Sequence, residues 1–528
     1  MLRIKLSGSA ARRALMGAVS GLAAAAAALG VAQLIAGITG PLGGPVTAVG
    51  QVAINLTPVP VKDFVIAHAG SHDKQVLVAG ILIVLAAFAA VMGMLALRRI
   101  GYGLAGLAVF GVLGAAAAIT RPNATPPDIT PTLAGVAVAA IALTGLARTA
   151  RGRPRRETAA AGQSQPALPS PPRQPDRRRF LALAAGTAAV AAAGGLAGQA
   201  LANRFSVEQL RAAIRLPPPA VPARAVPAAV RFPVAGITPF FTSNASFYRV
   251  DTELVLPQIP PDQWTLRVHG MVDRPVELSF RDLLRRPLTE ADITLACVSN
   301  QVGGPLAGNA RWLGASLAAL LREAGVQSGA DQILSTSNDG WTAGTPTEAV
   351  LSDPHALLAV GMNGQPLPVA HGFPARMIVP GLFGYASATK WVTDLELTTF
   401  AAQRSYWVQR GYSVMGPIKT MSRIDVPRPF QQVPAGRTPV AGVAWAPHRG
   451  IEKVQIQADG GPWHDADLAT ADGIDTWRQW VWYWDATPGL HQIQVRATDG
   501  TSATQPAART GIFPNGATGW DSTAVTVT

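Results

Sequence analysis

Residues 293–304 read ITLACVSNQVGG and contain Cys297, the only cysteine among the 528 residues. A single cysteine cannot form a disulfide within the chain, so the fold is not cross-linked in the manner of small secreted domains. Cys297 follows a run typical of a strand and precedes a loop with Gly303 and Gly304, which allow close backbone approach to a ligand. Because binding sites are commonly built from loops on a rigid scaffold, we predict that Cys297 lies in a functional site.

Three interpretations of Cys297 are open from the residues alone. A free cysteine often packs as an inert small hydrophobic side chain. A nucleophilic cysteine needs a nearby base, for which the sequence offers His371. A metal thiolate needs further ligands, and no cluster of ligand residues surrounds Cys297 in the sequence. The sharpest hypothesis is therefore a thiolate that binds a metal held by a cofactor.

The positive charge of the chain is confined to its N-terminal part. The formal net charge is +13; residues 1–205 hold 19 Lys and Arg against 5 Asp and Glu, which leaves 25 against 26 in residues 206–528. A nucleic-acid-binding protein would carry a basic surface on its folded domain, and residues 206–528 lack the composition for one. We therefore predict no nucleic-acid partner.

Long apolar runs explain this charge distribution. Residues 14–37, 76–97, 103–120 and 131–147 each approach the roughly 20 residues that span a bilayer. Residues 1–148 are thus predicted to form four transmembrane helices, although any one run would also suit a buried helix of a soluble domain. Arginines and lysines precede the first run, fill the second connection and follow the fourth run, which places these segments in the cytoplasm. The Pro-, Gln- and Ser-rich residues 149–176 are predicted to be a cytoplasmic linker.

Residues 177–203 are predicted to be a fifth transmembrane helix. Arg177, Arg178, Phe180 and Leu181 match the R-R-x-F-L pattern of twin-arginine export signals, and an Ala- and Gly-rich segment follows. An ordinary anchor helix with flanking arginines is the alternative. Both interpretations place the residues after 203 outside the cytoplasm, so we expect a multi-pass protein of the cytoplasmic membrane with an extracytoplasmic catalytic part.

Haem and iron–sulfur clusters are not expected in this chain. No histidine lies in a predicted span, and the single cysteine excludes a C-x-x-C-H site or a cysteine-ligated cluster. His68 and His72 stand at i, i+4 spacing in the first outer loop. They are either an exposed pair or a metal or haem site.

The remaining chain divides by pattern into two domains. Residues 204–435 mix strands such as WTLRVHGMV with short helices such as SFRDLLRRP and SLAALLREAGV, which predicts an α+β domain. Residues 436–528 contain alternating segments such as IEKVQIQAD and HQIQVRATD between turns, which predicts an antiparallel β-sandwich. We interpret the Trp-rich residues 477–484 as core packing.

Several separated motifs carry a family resemblance. ITLACVSNQVGG, residues 353–392 from DPHALLAVGMNG to GYASATKWV, and the sandwich segments GVAWAP and IQADGGPWHDADL together resemble the sulfite oxidase family of molybdopterin enzymes, in a membrane-anchored bacterial form. The resemblance covers residues 235–528. It implies a multi-domain fold in which an N-terminal transmembrane helical bundle precedes an α+β sulfite-oxidase-like molybdopterin domain and a C-terminal immunoglobulin-like sandwich, the family's dimerisation domain.

The resemblance also implies a cofactor and a site. One molybdenum-pyranopterin (molybdopterin) would be held by the α+β domain, with Cys297 as the metal's thiolate ligand. Arg249 is implied as an anion ligand over the metal. The cofactor-binding positions implied are Asn244, Phe247, Tyr248, Ser337, His371, Arg376, Ser387 and Lys390. Arg and Lys suit this role because they bind phosphate through charge-assisted hydrogen bonds.

Departures from the family pattern leave the reaction open. Val360 stands where animal and plant sulfite oxidases have a tyrosine, and VSNQVGG replaces an Arg-rich stretch after the cysteine. Arg410 or Lys419 would have to supply further positive charge. The implied activity is two-electron oxygen-atom transfer on a small oxo-substrate, either sulfite oxidation or S-oxide or N-oxide reduction, with an external redox partner such as a cytochrome or a quinone-linked membrane protein. The alternative is a membrane-tethered binding module that has lost the cofactor.

Overall fold

The computed structural model describes residues 8–58, 61–62, 64–65, 73–122, 124–151 and 177–528. His68, His72 and most of the predicted linker 149–176 lie outside the described residues. The chain divides into two compact units, of which the first comprises Met1–Ser206 with Thr252–Val255. The second comprises Val207–Asp251 with Leu256–Thr528.

The first unit is helical. Its α-helices are Gly8–Thr39, Pro45–Leu56, Asp73–Arg98, Ile100–Ile119, Thr130–Arg151 and Arg177–Ala202. In the described part of the chain, five helices are long and apolar enough to cross a membrane. Each of the five runs selected from the sequence is therefore confirmed as an apolar helix. Pro45–Leu56 was not expected, and its 12 residues are fewer than a membrane span requires.

Glycines allow the first helix to pack closely against two others. A Cβ atom on Gly194 of the last helix would lie 2.7 Å from the carbonyl oxygen of Gly30, and one on Gly17 would lie 2.7 Å from the Cα atom of Met94. Small residues of this kind let helix backbones approach within membranes. The helix 177–202 is thus packed as a member of the helical unit.

The second unit contains an α+β domain. Its strands are β1 (Thr265–Gly270), β2 (Val276–Ser279), β3 (Leu288–Ala296), β4 (Ala307–Ser316), β5 (Gln332–Ser337), β6 (Thr342–Pro346), β7 (Leu357–Met362), β8 (Gln365–Pro366), β9 (Arg376–Ile378) and β10 (Val392–Thr398). Its short α-helices are Glu208–Ala213, Phe280–Arg285, Leu317–Ala324, Thr347–Leu351 and Gly384–Ser387. One sheet has the order β2-β1-β10-β5-β6, and the other has the order β3-β4-β7-β8 with β9 beside β7.

The second of these sheets is buried on both faces. Leu358 and Val360 of β7 contribute to the core shared with the first sheet, whereas Leu357 and Ala359 contribute to a second cluster with Phe247. All six residues of β7 are buried, so the strand reads as a continuous apolar run. The loops around this second face position the candidate site.

A two-sheet sandwich follows. Its strands are β11 (Met421–Val426), β12 (Gln432–Val433), β13 (Gly436–Trp445), β14 (Ile451–Ala458), β15 (His464–Asp465), β16 (Asp467–Leu468), β17 (Arg478–Ala486), β18 (Gly489–Asp499) and β19 (Asp521–Val527). The sheets have the orders β11-β13-β17-β16 and β12-β19-β18-β14-β15. Val440 and Trp480 of one sheet pack with Ile456 and Val495 of the other, which confirms the predicted sandwich core.

The sandwich begins earlier than the expected boundary at residue 436. Strand β11 pairs with β13 from Met421 onward and therefore belongs to this domain. Its sequence, MSRIDV, hides this role because Arg423 and Asp425 interrupt the apolar alternation. The two charges form a 2.8 Å ion pair with each other, which makes their partial burial tolerable.

Candidate active site

Cys297 lies where β3 ends and the loop to β4 begins. Its backbone N–H donates to the carbonyl oxygen of Leu306 across the loop at 2.9 Å. The Asn300 side-chain oxygen accepts from the Leu306 N–H at 2.8 Å, so the loop is closed by its own polar groups. The Cys297 sulfur accepts a weak hydrogen bond from the Ser299 N–H at 3.4 Å. These contacts fix the thiol at the mouth of the hairpin.

The two loop glycines are required by this geometry. Gly303 has a φ of 75°, in the left-handed region that favours glycine. A Cβ atom on Gly304 would lie 2.7 Å from the Asn300 side-chain oxygen that closes the loop. The close backbone approach at Gly304 is to the loop's own Asn300, and approach to a ligand stays a prediction.

The electrostatics of Cys297 do not match a cysteine nucleophile. Desolvation by the surrounding protein raises the pKa of the thiol, while the Ser299 N–H and the charge of Lys390 act against this rise. Activated cysteines instead have a lowered pKa and a paired base. The candidate base, His371, places Nε2 3.0 Å from the carbonyl oxygen of Asn244. Burial also lowers the pKa of His371 to about 4, so this imidazole is neutral near pH 7.

The SNASFYR segment packs on the Cys297 hairpin through Phe247. This ring lies against β4, where a Cβ atom on Gly308 would meet it at 2.7 Å. Ring centroids lie 5.2 Å away at Tyr248, 5.7 Å at Trp312 and 5.5 Å at His371. Phe247 is therefore the packing centre of the site, and it brings Tyr248 towards Cys297.

Tyr248 is kept neutral. Burial raises the pKa of its hydroxyl, and negative charge on the nearby Cys297 sulfur would raise this pKa further. A neutral phenol can donate a hydrogen bond to an oxygen atom in the pocket. The turn at Gly384 runs beside it, since a Cβ atom there would lie 3.9 Å from the Tyr248 hydroxyl.

Arg376 is a buried cation at the base of the site, with 5% exposure. Its Nη1 donates to the carbonyl oxygen of His371 at 3.1 Å, and its Nη2 donates to that of Ala388 at 3.2 Å. The guanidinium also lies 5.2 Å from the centroid of the Trp312 ring. Burial lowers its pKa to about 10, because the surrounding protein solvates the charged guanidinium less well than water does.

The buried Nε of Arg376 has no protein hydrogen-bond partner among the described residues. Oγ of Ser337 is also buried and lies beside the Asp339 side chain. Buried polar groups are usually hydrogen-bonded, so the Arg376 Nε is a candidate contact for a bound group. Both residues were selected from the sequence as pterin contacts. A donor without a protein partner, a buried hydroxyl and buried cations fit the polar ring and the phosphate of a pyranopterin.

Lys390 and Arg249 share one carboxylate, that of Asp251. The Asp251 Oδ2 lies 2.9 Å from the Lys390 ammonium and 2.7 Å from the Arg249 Nε. The Asp251 side chain is only 3% exposed. Burial lowers the pKa of Lys390 to about 8, although Asp251 acts to raise it. Lys390 is also close enough to Cys297 to stabilise a thiolate there.

Other candidates are engaged elsewhere. Asn244 donates to the carbonyl oxygen of Met362 at 3.3 Å and so ties its segment to β7. The Ser387 hydroxyl donates to backbone carbonyls of its own turn, at 3.0 and 3.1 Å. Lys419 donates to the carbonyl oxygen of Gly516 at 2.6 Å, and Arg410 lies over the Tyr406 ring at 3.5 Å. The structure therefore gives no support to Arg410 or Lys419 as anion ligands.

Sequence reasoning missed the two carboxylates of the site. Asp251 stands two residues after Arg249 and could have been suspected from that spacing. Asp339 could not, because it lies in the turn after β5, where its side chain accepts from the Trp341 N–H at 2.9 Å. Burial raises the pKa of Asp339, and Lys390 acts to lower it. Only the fold brings this turn towards Lys390.

Comparison with known proteins identifies similar enzymes. Residues 253–407 match the family described as oxidoreductase molybdopterin binding domain. The sulfite oxidase of Gallus gallus is 30% identical over 317 residues, which cover 51% of this chain and 68% of that protein. The uncharacterized oxidoreductase YuiH of Bacillus subtilis is 33% identical over 154 residues, which cover 29% of this chain and 74% of that protein.

Two further relatives are more distant or are matched less completely. The mitochondrial sulfite oxidase of Homo sapiens is 31% identical over 46% of this chain, and the match spans about half of that protein, 52%. The crystal structure of the sulfane dehydrogenase SoxCD from Paracoccus pantotrophus is 23% identical with a TM-score of 0.48, over 55% of this chain and 84% of that one. Because the chicken protein is matched at 30% identity over 68% of its length, this chain belongs to the sulfite oxidase family of molybdopterin-dependent oxidoreductases.

Proposed function

We propose that this enzyme catalyses two-electron oxygen-atom transfer on a small oxo-substrate, at a molybdenum-pyranopterin held by the second unit. One observation carries the proposal. The only cysteine lies near Tyr248 and Lys390, Tyr248 lies near Arg376, and the buried Nε of Arg376 has no protein partner among the described residues. The non-catalytic alternative leaves this buried donor and the two buried cations without a ligand to offset their burial.

The residues divide into roles. Cys297 would complete the sulfur ligands of the metal, while Arg376, Ser337 and Lys390 would hold the pterin and its phosphate. When bound, the cofactor supplies the two-electron change and the oxygen-accepting metal. Tyr248 would donate a hydrogen bond to a substrate oxygen. Arg249, whose side chain is 36% exposed, can orient an oxo-substrate at the pocket mouth.

Metal and pterin contents of the purified full chain test the proposal. We expect about one molybdenum and one pterin per chain, measured by elemental analysis and by fluorescence of the oxidised pterin. Loaded protein should then oxidise sulfite with a one-electron dye, or reduce S-oxides or N-oxides with a reduced dye. Protein matured with a full cofactor supply that contains neither metal nor pterin would refute the proposal.

We further propose that the first unit is a multi-pass anchor in the cytoplasmic membrane and that the second unit is extracytoplasmic. The five apolar helices and the arginines flanking them support this arrangement. Export by the twin-arginine route would allow the cofactor to be inserted before transport. Alkaline phosphatase fused after residue 528 should be active if the second unit is exported. Replacing Arg177 and Arg178 with lysines should abolish that activity if the twin-arginine route is used.

We also propose that the sandwich forms a dimer interface and that a separate protein carries the electrons. The paired sheets β11-β13-β17-β16 and β12-β19-β18-β14-β15 suit an immunoglobulin-like dimerisation domain. Sedimentation of the detergent-solubilised chain should give the mass of a dimer. A separate carrier, such as a cytochrome or a quinone-linked membrane protein, would exchange electrons with the metal one at a time.

A further inference from the structure

Positive and negative side chains nearly balance one another around the candidate pocket. Three cations converge on it, namely Arg249, Lys390 and Arg376. Asp251 places one carboxylate oxygen against two of them, at 2.7 and 2.9 Å. Since the Asp251 side chain is only 3% exposed, water screens this pairing weakly.

Asp339 adds a second carboxyl group. It lies close enough to Lys390 for their opposite charges to attract, and close enough to Asp251 for the two carboxylates to repel each other. With Asp251 and Asp339 both ionised, three cations and two carboxylates leave the protein a net charge of about +1 at the pocket before any cofactor binds. A bound phosphate group carries about −1.5 to −2 at pH 7. The loaded pocket would therefore hold no surplus of positive charge for a second anion.

The positions where more positive charge was expected do not supply it. The loop VSNQVGG contains no basic residue. Val360 is fully buried in the apolar core between the two sheets of the α+β domain, and so offers no polar group to an anion. Lys419 is held by the carbonyl oxygen of Gly516. Arg249 is thus the cation most available to a substrate, and Asp251 already neutralises it.

We infer that Asp251 determines substrate selectivity, by making the pocket prefer uncharged S-oxides or N-oxides over the sulfite dianion. This inference rests on the proposed function and names its substrate class. In the favoured direction a sulfoxide, two electrons and two protons yield a thioether and water. The S–O bond breaks, the oxygen leaves as water, and the electrons come from a one-electron carrier protein. Arg249, held by Asp251, donates to the oxo group without attracting a dianion.

The experiment compares holoenzyme of the wild type, Asp251→Asn and the control Glu323→Gln. Glu323 is a more exposed carboxylate paired with Arg286 at 2.7 Å, so its substitution makes the same change in net charge away from the pocket. Two quantities are measured for each protein. One is the ratio of kcat/KM for dimethyl sulfoxide to that for sulfite, and the other is the sulfate concentration that perturbs the metal's electron paramagnetic resonance signal without turnover.

We expect wild type and Glu323→Gln to favour the sulfoxide and to respond to sulfate only weakly. Asp251→Asn should respond to about tenfold less sulfate, because Arg249 then faces the anion unpaired. Its KM for sulfite should fall by a similar factor, so the ratio of kcat/KM for dimethyl sulfoxide to that for sulfite should fall. Asp251→Glu, which keeps the charge, should retain the wild-type ratio and the weak response to sulfate.

A loaded wild type that turns over sulfite more efficiently than the sulfoxide would overturn the inference while leaving the proposed function intact. The same conclusion follows if Asp251→Asn is loaded and its sulfate response is unchanged. If Asp251→Asn does not fold, the substrate ratio of wild type and Asp251→Glu still decides. Wild type without metal or pterin would instead refute the proposed function itself.

Discussion

Substituting Arg376 by methionine should remove cofactor loading while leaving the fold in place. Arg376 is 5% exposed and makes two hydrogen bonds to backbone carbonyls, while its Nε has no protein partner among the described residues. A hydrogen bond from a charged donor contributes about 1.5–3 kcal/mol. Loss of the Nε donor alone should therefore weaken pterin binding by roughly 10- to 150-fold.

The bare protein should be affected much less. Methionine leaves the carbonyls of His371 and Ala388 without their donor, at about 1–3 kcal/mol each. It also removes a buried charge whose desolvation lowers the pKa of Arg376 to about 10. These two effects oppose each other, so the thermal midpoint of the empty protein should move by only a few degrees.

The assay is the molybdenum and pterin content of protein expressed with limiting cofactor, beside its thermal midpoint. Arg322→Met is the matched control, because Arg322 is an exposed arginine that also donates to a backbone carbonyl, that of Leu351 at 2.7 Å. Arg376→Lys keeps a charge but lacks the Nε donor, so it should also load poorly. Normal loading of Arg376→Lys would contradict the assignment of Nε to the pterin.

Three further predictions follow from the same structure. Cys297→Ser should retain pterin but change the absorption and magnetic resonance signature of the metal; an unchanged signature would exclude the thiolate as ligand. Gly194→Leu should lower the unfolding temperature of the solubilised chain, because its Cβ would lie 2.7 Å from the carbonyl oxygen of Gly30, whereas Gly195→Leu, with nothing within 4 Å, should not. Burial lowers the pKa of His371 from 6.5 to about 4. Between these two pH values the unfolded state therefore binds a proton at His371 that the folded state does not bind. The free energy of unfolding of the empty protein should thus fall as pH drops from about 6.5 to about 4, and His371→Gln should flatten this slope in denaturant titrations.

Much of the fold could be predicted because its signals are local. Long apolar runs identify the five helices, and the pattern SLAALLREAGV predicted the helix Leu317–Ala324, which Ser316 and Gly325 cap in the structure. Strand β11 was missed because its Arg423–Asp425 pair disguises a strand whose partners lie further along the chain. The short helix Pro45–Leu56 was missed because its apolar run is too short for a membrane span.

The site was predictable only as far as its motifs extend. Cys297, Arg376 and Lys390 lie in recognisable segments, and the fold brings them near one another. Asp339 belongs to no motif, and its role depends on the turn after β5 lying near Lys390. Lys419, which the sequence offered as a compensating cation, is drawn instead to the Gly516 carbonyl by contacts within the sandwich. Charge balance is a property of three-dimensional proximity, so composition along the chain cannot reveal it.

The electrostatics of the buried cations explain why these particular residues belong together. Arg376 and Lys390 both have lowered pKa values, about 10 and about 8, because burial disfavours their charges. The Arg376 Nε is also buried without a protein partner among the described residues. Burying these groups costs free energy, and a polar, anionic group bound beside them offsets that cost. Cofactor binding should therefore stabilise the folded protein, which a higher unfolding temperature of the loaded enzyme would show.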